Sequence, residues 1–335
     1  GHCIIIGNGP SANEAARTLR EKDANLRITL FGQESVGYYK PHLLPDYVAG
    51  NIPESDLYVD PLSFYREKSI GLRLGQRVVD VDFTQRRVVL EHKEVVPFDS
   101  LIIAVGGKPK IPEPLERFAD LMLTLKTVAD GGTWIETLKR VDSVLVIGGD
   151  LPSLAFVKAL TGMGKKVSFI LSDQSLWPIR YSEPAREKLI GVLSTRGIDV
   201  LDARTVKSVE RVSDIELEVQ TENATVKTGV VGAFYGLVPN VAFLKKSGLD
   251  IERGILVDEF LQTRFPDVYA VGDCAQVYHP GMRDYWVSIG YGNAVGLGRI
   301  AALNLAGSKV TAEVQPESIF QVDGITANVS WWTEF

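Results

Sequence analysis

The stretch that decides the fold is Cys3-Ile4-Ile5-Ile6-Gly7-Asn8-Gly9-Pro10-Ser11-Ala12. Its continuous apolar run predicts a parallel strand buried on both faces, and the segment 11–22 that follows predicts a helix. The turn has the form GxGxxA. Gly7 permits a tight turn, Gly9 lets a pyrophosphate approach the backbone, and Ala12 allows the helix to pack closely on the strand.

The start of the predicted helix suits an anion. Its first amides and its dipole favour phosphate, and Pro10 is tolerated because a first-turn N–H has no helical partner. Ser11 lies in the same turn, and Glu34 follows the next strand at about the distance of an acid that binds a ribose hydroxyl. A glycine turn without any ligand is the alternative, and this motif alone does not exclude it.

The same organisation occurs a second time. Apolar runs at 101–105 and 144–147 also end in glycine, and the second is followed by a predicted helix at 152–161 and a strand at 166–171. Each half then carries segments that alternate in polarity, which predicts antiparallel strands. These segments are 78–82 and 87–91 in the first half, and 206–212 and 215–220 in the second, which an apolar strand follows at 230–235.

We therefore predict an α/β fold of two Rossmann-like nucleotide-binding domains, one inserted in the other. Proline-rich crossings at 108–114 and 237–240 mark the joints. The expected bounds are 1–112 with 239–312 for the outer, discontinuous domain and 113–238 for the inserted one. Residues 313–335 form a short C-terminal segment.

The composition of the chain argues against some classes of partner and location. The chain has 335 residues, 45% of them hydrophobic, and a net charge of -6. Because it lacks an excess of basic groups, we expect no nucleic-acid partner. No stretch is long and apolar enough for a membrane span, and because the first residues run straight into a strand, we expect no signal peptide. Two cysteines suit a reducing compartment, so we expect a cytoplasmic protein.

A second motif lies far downstream, at Tyr269-Ala270-Val271-Gly272-Asp273-Cys274-Ala275. With it, the chain resembles the pyridine nucleotide-dependent flavoprotein disulfide reductase superfamily, which has a YAxGDxA motif. The segment 101–107 resembles the family's ATG segment, and 236–240 resembles its GxxPN crossing. These motifs span nearly the whole chain in the family's order, so coincidence is a poor explanation.

The resemblance implies FAD as the cofactor. Asp273, after Gly272, takes the role of the family's ribityl-binding aspartate. The ATG-like segment contributes Ala104, Val105 and Gly106 to the FAD site.

Tyr39-Lys40-Pro41-His42-Leu43-Leu44 resembles the Y-R-P-x-L segment of rubredoxin reductases, oxygenase-type ferredoxin reductases and nitrite reductase flavin domains. In those proteins it lies beside the isoalloxazine ring, so Lys40 and Pro41 are expected there and Lys40 is the candidate catalytic residue. Lys40 replaces the usual arginine, which keeps the charge but loses the planar fork. A solvated surface lysine is the equal alternative.

A predicted helix begins near Gly292 and runs to about Leu305. In relatives this helix points its N-terminus at the pyrimidine edge of the flavin, where its N–H groups favour negative charge. Asn293 and Ala294 are the candidates for that contact. A helix that only packs under the sheet is the alternative.

Several features of relatives are missing. The chain has no CxxxxC or CxxC pair, and His42 occupies the place of the single cysteine of the peroxidase branch. The four histidines lack metal-ligand spacing, so we predict no metal site and electron flow through the flavin alone. The segment 317–325 resembles the start of the family's interface domain, and we expect Trp331 and Trp332 in the core or against another subunit.

The inserted domain departs most from the family. Where relatives have GGGxxG, this chain has Gly148-Gly149-Asp150-Leu151-Pro152-Ser153. Asp150 adds bulk and negative charge where pyrophosphate approaches, although it could instead cap the next helix. Phe156 stands where relatives often have a flavin-facing glutamate, and Leu171 stands where the ribose-binding acid would be. We expect a weakened NAD(P)-like site.

The sequence thus predicts an FAD-dependent oxidoreductase that passes electrons to or from a redox protein partner. That partner is a separate protein or an iron-sulfur or other metal-containing subunit, so the chain is expected in an oligomer or complex. A conventional NAD(P)H-dependent rubredoxin or ferredoxin reductase is one alternative. A flavin-bearing structural subunit with little turnover is another.

Overall fold

The computed structural model describes residues 1–149, 151–172, 179–180, 183–287, 290–313, 317–322 and 325–330. The strands in these ranges are β1 (His2–Ile6), β2 (Arg27–Phe31), β3 (Ile70–Arg73), β4 (Val78–Asp82), β5 (Arg87–Leu90), β6 (Val95–Pro97), β7 (Ser100–Ile103), β8 (Gly107–Pro109), β9 (Ser143–Gly148), β10 (Lys166–Leu171), β11 (Ile179–Arg180), β12 (Asp199–Val200), β13 (Val206–Ser213), β14 (Glu216–Thr221), β15 (Thr225–Thr228), β16 (Val230–Ala233), β17 (Leu237–Pro239), β18 (Ile255–Val257), β19 (Val268–Ala270), β20 (Ala275–His279), β21 (Asp284–Val287), β22 (Glu317–Val322) and β23 (Ile325–Ser330).

The α-helices are α1 (Pro10–Lys22), α2 (Leu44–Val48), α3 (Leu62–Glu67), α4 (Val128–Leu138), α5 (Leu151–Gly162), α6 (Glu183–Thr195) and α7 (Tyr291–Leu305). Short 3-10 helices lie at Pro41–Leu43, Glu54–Leu57, Glu113–Leu121, Ala242–Leu244 and Gly272–Cys274. Among the residues described, no helix combines the length and apolar character that a membrane crossing requires.

The first sheet is parallel throughout and has the strand order β19-β7-β1-β2-β3. Ile4 of β1 lies opposite Thr29 on one side and Leu101 on the other. Because β1 has a neighbour on both sides, and because α1 and residues of β4 and β5 share its core, its apolar run is buried, which explains the absence of polar alternation. Burial of each such isoleucine side chain stabilises the fold by about 1.5–3 kcal/mol.

The second sheet is also parallel, with the order β12-β10-β9-β16. Its strands lie between β7 and β19 in the chain, although β7 and β19 are neighbours in the first sheet. The predicted α/β class, with one nucleotide-binding fold inserted in another, is therefore confirmed. The domain bounds 1–112 with 239–312, 113–238 and 313–335 remain our prediction.

The predicted antiparallel pairs are present as β4 with β5 and β13 with β14. Each pair carries a third strand that we did not predict, β6 and β15, and both are short edge strands. The two crossings between the folds pair with each other, since β8 runs antiparallel to β17 with Lys108 opposite Val238. The strand β22 pairs with β23, which pairs with β11.

Helices α1 and α7 pack closely against each other and share the hydrophobic core of the first sheet. A Cβ atom on Gly298 of α7 would lie 2.2 Å from the backbone oxygen of Ser11, so only glycine fits at this crossing. This contact places the first turn of α1 against the middle of α7. Both helices begin one residue before their predicted starts, at Pro10 and Tyr291. The first N–H groups of a helix have no acceptor within the helix, so the sequence pattern marks its first residue only weakly.

Candidate cofactor site at the carboxyl edge of the first sheet

In the turn after β1, Gly7 has the tight-turn conformation and Gly9 has the open approach that the sequence predicts. Gly7 has φ +127°, and a Cβ there would lie 2.1 Å from the backbone oxygen of Ala104. Gly9 is the N-cap of α1, and a Cβ on it would meet no atom within 4 Å. Gly7 is therefore required by the protein's own backbone, whereas Gly9 faces open space that a ligand can enter.

The first turn of α1 is electropositive on its open side. Pro10 occupies the first position, and no acidic residue lies in the turn. Ser11 and Ala12 are buried against neighbouring segments. The amides and dipole of this helix end therefore act on whatever lies over Gly9, which suits an anion.

The downstream motif packs directly against this turn. Gly272 has φ +72°, and a Cβ there would lie 2.9 Å from Ser11 Oγ. The next residue, Asp273, is half-buried in the 3-10 helix after β19, and its carboxylate accepts no hydrogen bond from the residues that the structure describes. Desolvation raises the pKa of this carboxyl, and the charge of Lys126 opposes the shift. A desolvated carboxylate without donors fits a ligand rich in hydroxyl groups, such as a ribityl chain.

The ATG-like segment runs beside the same turn. The Ala104 N–H donates to the Ile6 oxygen at 2.9 Å, which fixes the segment alongside β1. Gly106 has φ +64° and faces open space, and its oxygen accepts the Asn240 N–H at 2.9 Å. Val105 lies between these two anchors, half-buried. The segment thus borders the site and also joins the return crossing.

Glu34 lies three residues after β2 and is held by an aromatic residue. The Tyr39 hydroxyl donates to both Glu34 carboxylate oxygens, at 2.9 and 3.0 Å. Although Glu34 is exposed overall, desolvation raises the pKa of its carboxyl, while the Tyr39 hydrogen bond and Lys126 act to lower it. Burial and the nearby Glu34 charge raise the pKa of Tyr39 above its ordinary value, so its hydroxyl stays a donor.

The segment containing Lys40 and Pro41 contacts the start of α7. The Lys40 N–H donates to the Leu57 oxygen at 3.0 Å, which fixes the backbone of the half-buried lysine. The ring of His42 lies 5.2 Å from the ring of Tyr291, edge to face. The hydroxyls of Tyr38 and Tyr291 lie 2.7 Å apart. Tyr291 is the first residue of α7.

These contacts bring together the two segments that the resemblance assigns to the flavin ring. Asn293 and Ala294 follow Tyr291 in the first turn of α7, both half-buried, and the Ala294 N–H donates to the Gly290 oxygen at 3.1 Å. The sequence reasoning did not identify Tyr38 or Tyr291, because their contact joins residues 253 positions apart.

Lys126 is a third residue that the sequence reasoning missed. Its charge acts on both Glu34 and Asp273, which lie on different segments of the site. The backbone is fixed by a capping box at the start of α4: Thr127 Oγ1 accepts the Asp130 N–H at 3.0 Å, and Asp130 Oδ2 accepts the N–H groups of Lys126 and Thr127. The Thr127 to Asp130 spacing resembles a helix-start signature, so it could have located the turn that presents Lys126.

In the second sheet, the residues of the corresponding turn, after β9, contact the start of the helix that follows. A Cβ on Gly148 would lie 2.4 Å from Ser153 Cβ, so the serine packs directly on this glycine. Ser153 is fully buried, and its Oγ accepts the Gly149 N–H at 2.9 Å. Asp150 lies outside the described residues. The amide of Gly149 therefore already has a partner within the protein.

The residues described at the end of β10 include no acid that could bind a ribose. Leu171 is fully buried, and the buried Arg186 donates from Nη2 to the Leu171 oxygen at 2.7 Å. Asp173, which follows this strand in the sequence, lies outside the described residues. The turn after β9 and the end of β10 therefore resemble a dinucleotide-binding site less closely than the turn after β1 does.

Comparison with known proteins identifies the family. The model of the pyridine nucleotide-disulphide oxidoreductase family matches residues 1–292. The chain belongs to that family. It is 29% identical over 277 residues to the nitric oxide reductase FlRd-NAD(+) reductase of Klebsiella pneumoniae subsp. pneumoniae, covering 82% of this chain and 72% of that protein.

Solved structures share the fold of this oxidoreductase. The putidaredoxin reductase–putidaredoxin complex has a TM-score of 0.85 at 24% identity, with 98% of this chain and 80% of the other covered. NADH:rubredoxin oxidoreductase from Clostridium acetobutylicum has a TM-score of 0.78 at 24% identity, with 97% and 80% covered.

In this family member neither thiol is activated. Cys3 on β1 and Cys274 are both fully buried, and burial raises the pKa of Cys3 to about 12 and of Cys274 to about 11. Because the thiolate is the reactive form, both behave as small packing residues. Within the described ranges, no group of three or more His, Cys, Asp or Glu side chains is arranged to hold a metal ion.

Phe156 belongs to the core of the second fold. It is fully buried, with its ring centroid 4.7 Å from that of Trp134 and 5.2 Å from that of Phe234. It therefore packs between Trp134 of α4 and Phe234, which directly follows β16. Trp331 and Trp332 lie outside the described residues.

Proposed function

We propose that this oxidoreductase binds FAD at the edge of the first sheet and passes electrons through the flavin to or from a redox protein partner. One observation carries the proposal: the open glycine turn at Gly9 and the Asp273 carboxylate, which accepts no hydrogen bond from the described residues, lie on segments that touch each other. The first suits a pyrophosphate and the second suits a polyhydroxy chain, and FAD contains both. When bound, FAD supplies two-electron and one-electron redox chemistry.

In this proposal the nucleotide end is held by the first turn. The amides of α1 face the pyrophosphate, and Glu34 accepts from a ribose hydroxyl. Asp273 accepts from the ribityl chain. Lys126 offsets part of the negative charge that Glu34 and Asp273 bring to the site.

The ring end is held by two segments that already touch. Lys40 and Pro41 lie beside the ring, and the first turn of α7, with Asn293 and Ala294, faces its pyrimidine edge. A helix N-terminus there favours negative charge that develops on reduction. Lys40 adds a positive charge to the same region and is our candidate catalytic residue.

Electrons enter and leave through the flavin in this scheme, because the two thiols are buried and unactivated. The acceptor or donor is a separate redox protein, or an iron-sulfur or other metal-containing subunit of a complex. The names of the relatives agree with this class, since they include reductases of flavorubredoxin, rubredoxin and putidaredoxin. A cytoplasmic location is part of the proposal.

We propose further that the NAD(P)-like site is weakened. The buried Ser153 hydroxyl accepts the Gly149 N–H, and the described residues at the end of β10 include no acid. The second candidate function is a conventional NAD(P)H-dependent rubredoxin or ferredoxin reductase. The intact parallel second sheet favours it, as do the dinucleotides in the names of the relatives.

The test starts with the purified protein and its flavin spectrum. We expect bound FAD, full photoreduction, and reoxidation within milliseconds to seconds when rubredoxin or ferredoxin is mixed in a stopped-flow cell. Protein that stays colourless after incubation with FAD would refute flavin binding. Flavin that exchanges electrons with neither protein carriers nor NAD(P)H would instead support a structural flavin subunit.

A further inference from the structure

Asn13 is a buried polar residue of α1 that the family pattern does not explain. It lies four residues after Gly9 and is 2% exposed. A primary amide in such a place destabilises the fold unless its donors and acceptor are partnered. All of its side-chain partners lie in the glycine turn or on α3.

The nitrogen of this amide holds the turn. Asn13 Nδ2 donates to the backbone oxygens of Asn8 and Gly9, both at 2.9 Å, and lies 3.1 Å from Asn8 Oδ1. The Gly9 oxygen also accepts the Asn13 backbone N–H at 3.1 Å. Two successive carbonyls of the turn are thereby held toward Asn13.

Because the peptide unit is planar, the direction of the Asn8 carbonyl also fixes the direction of the N–H on the opposite side of the turn. The Asn8 carbonyl and the Gly9 N–H belong to one trans peptide unit and point in opposite directions. Holding the carbonyl toward Asn13 therefore turns the Gly9 N–H away from it. This N–H donates to no residue that the structure describes, and the space over Gly9 is open.

Tyr65 fixes the orientation of the Asn13 amide. Its hydroxyl, on α3 and 2% exposed, donates to Asn13 Oδ1 at 2.5 Å. Desolvation and the Asp60 charge raise the pKa of Tyr65 above its ordinary value, so the hydroxyl remains a donor. A flipped amide would set its oxygen against two carbonyls, so the hydroxyl and the turn together select one orientation.

We propose that Asn13 is a positioning residue that holds the Gly7–Gly9 turn in the conformation that presents the Gly9 N–H to a pyrophosphate. The glycines supply conformational freedom, and the Asn13 amide, oriented by Tyr65, selects one conformation from it. This inference rests on the proposed function, because the pyrophosphate is that of FAD.

The test compares two buried asparagines. Asn304, at the end of α7, makes a similar set of loop contacts: Nδ2 donates to the Phe260 and Val310 oxygens at 2.9 and 2.8 Å, and Oδ1 accepts the Val310 N–H at 2.7 Å. Asn13→Ala and Asn304→Ala should lower the Tm of the apoprotein similarly. Only Asn13→Ala should weaken FAD and ADP binding, each by about tenfold, since a misdirected amide forfeits roughly one charge-assisted hydrogen bond.

ADP separates the pyrophosphate contact from contacts to the flavin ring. Equal effects of the two alanine variants on the Kd values, or no effect of Asn13→Ala, would overturn the positioning role while leaving FAD binding intact. Wild-type apoprotein that binds neither FAD nor ADP would instead overturn the proposed function. If Asn13→Ala does not fold, Tyr65→Phe replaces it: a roughly threefold weaker Kd for ADP is expected, and an unchanged Kd would refute the inference.

Discussion

Asp273 gives the sharpest test of the cofactor site, because its carboxylate is desolvated and accepts no hydrogen bond from the described residues. If it binds the ribityl chain, Asp273→Ala removes hydrogen bonds to a charged acceptor, worth about 1.5–3 kcal/mol. At about 1.4 kcal/mol per tenfold, the Kd for FAD should rise about 10- to 150-fold. Asp273→Asn keeps an acceptor oxygen, so its Kd should rise about tenfold or less.

The same carboxylate should destabilise the apoprotein. A carboxyl whose pKa is higher in the folded state binds protons more tightly there, so stability falls as the pH rises from the ordinary value of 3.8 through the raised value. The cost therefore grows as the pH rises above 3.8 and is present at pH 7. Asp273→Asn removes it, so the apo variant should melt at a higher temperature than the wild-type apoprotein at pH 7, and the difference should disappear below about pH 3.8.

Two assays on the apoprotein check these expectations. Quenching of FAD fluorescence gives the Kd, and thermal melts across pH give the stability. Asp258→Asn serves as the control, since Asp258 Oδ1 accepts backbone N–H groups of Phe260 and Gln262 at 2.9 Å, away from the glycine turn. Wild-type FAD affinity in Asp273→Ala would refute the ribityl role. A lower melting temperature of apo Asp273→Asn at pH 7 would refute the desolvation argument.

Two further predictions concern electron entry. Cys3→Ser with Cys274→Ser should retain flavin reduction and reoxidation rates, because both thiols are buried with raised pKa values; lost turnover with flavin still bound would contradict this. NADH and NADPH should reduce the wild-type flavin only at high concentration. Asp150→Gly should lower their Kd by up to about three orders of magnitude. This upper bound corresponds to about 4 kcal/mol of repulsion between unit charges roughly 4 Å apart. Ser153→Gly, which removes the hydroxyl that accepts the Gly149 N–H, should add to this, and micromolar affinity unchanged by either substitution would argue against a weakened site.

The sequence alone determined the fold class and the position of the first turn. A continuous apolar strand, a GxGxxA turn and a helix are specified by neighbours within about ten residues, so local pattern suffices for them. Gly7 illustrates this, because the tight turn that the pattern predicts has φ +127°. The order of the later motifs then indicated that one fold is inserted in the other.

Only the tertiary structure decided which side chains act on one another. Tyr39 holds Glu34, Lys126 acts on both Glu34 and Asp273, and Tyr291 meets the segment of His42. The Asn13 amide depends in the same way on Tyr65, 52 residues further along the chain. Such contacts depend on how helices and loops pack on the two sheets. The hydrophobic repeat of a helix or strand shows which face a side chain lies on, but it does not show which distant residue that side chain meets. The sequence therefore specified the backbone that a nucleotide approaches, while packing decided which residues hold that backbone in place.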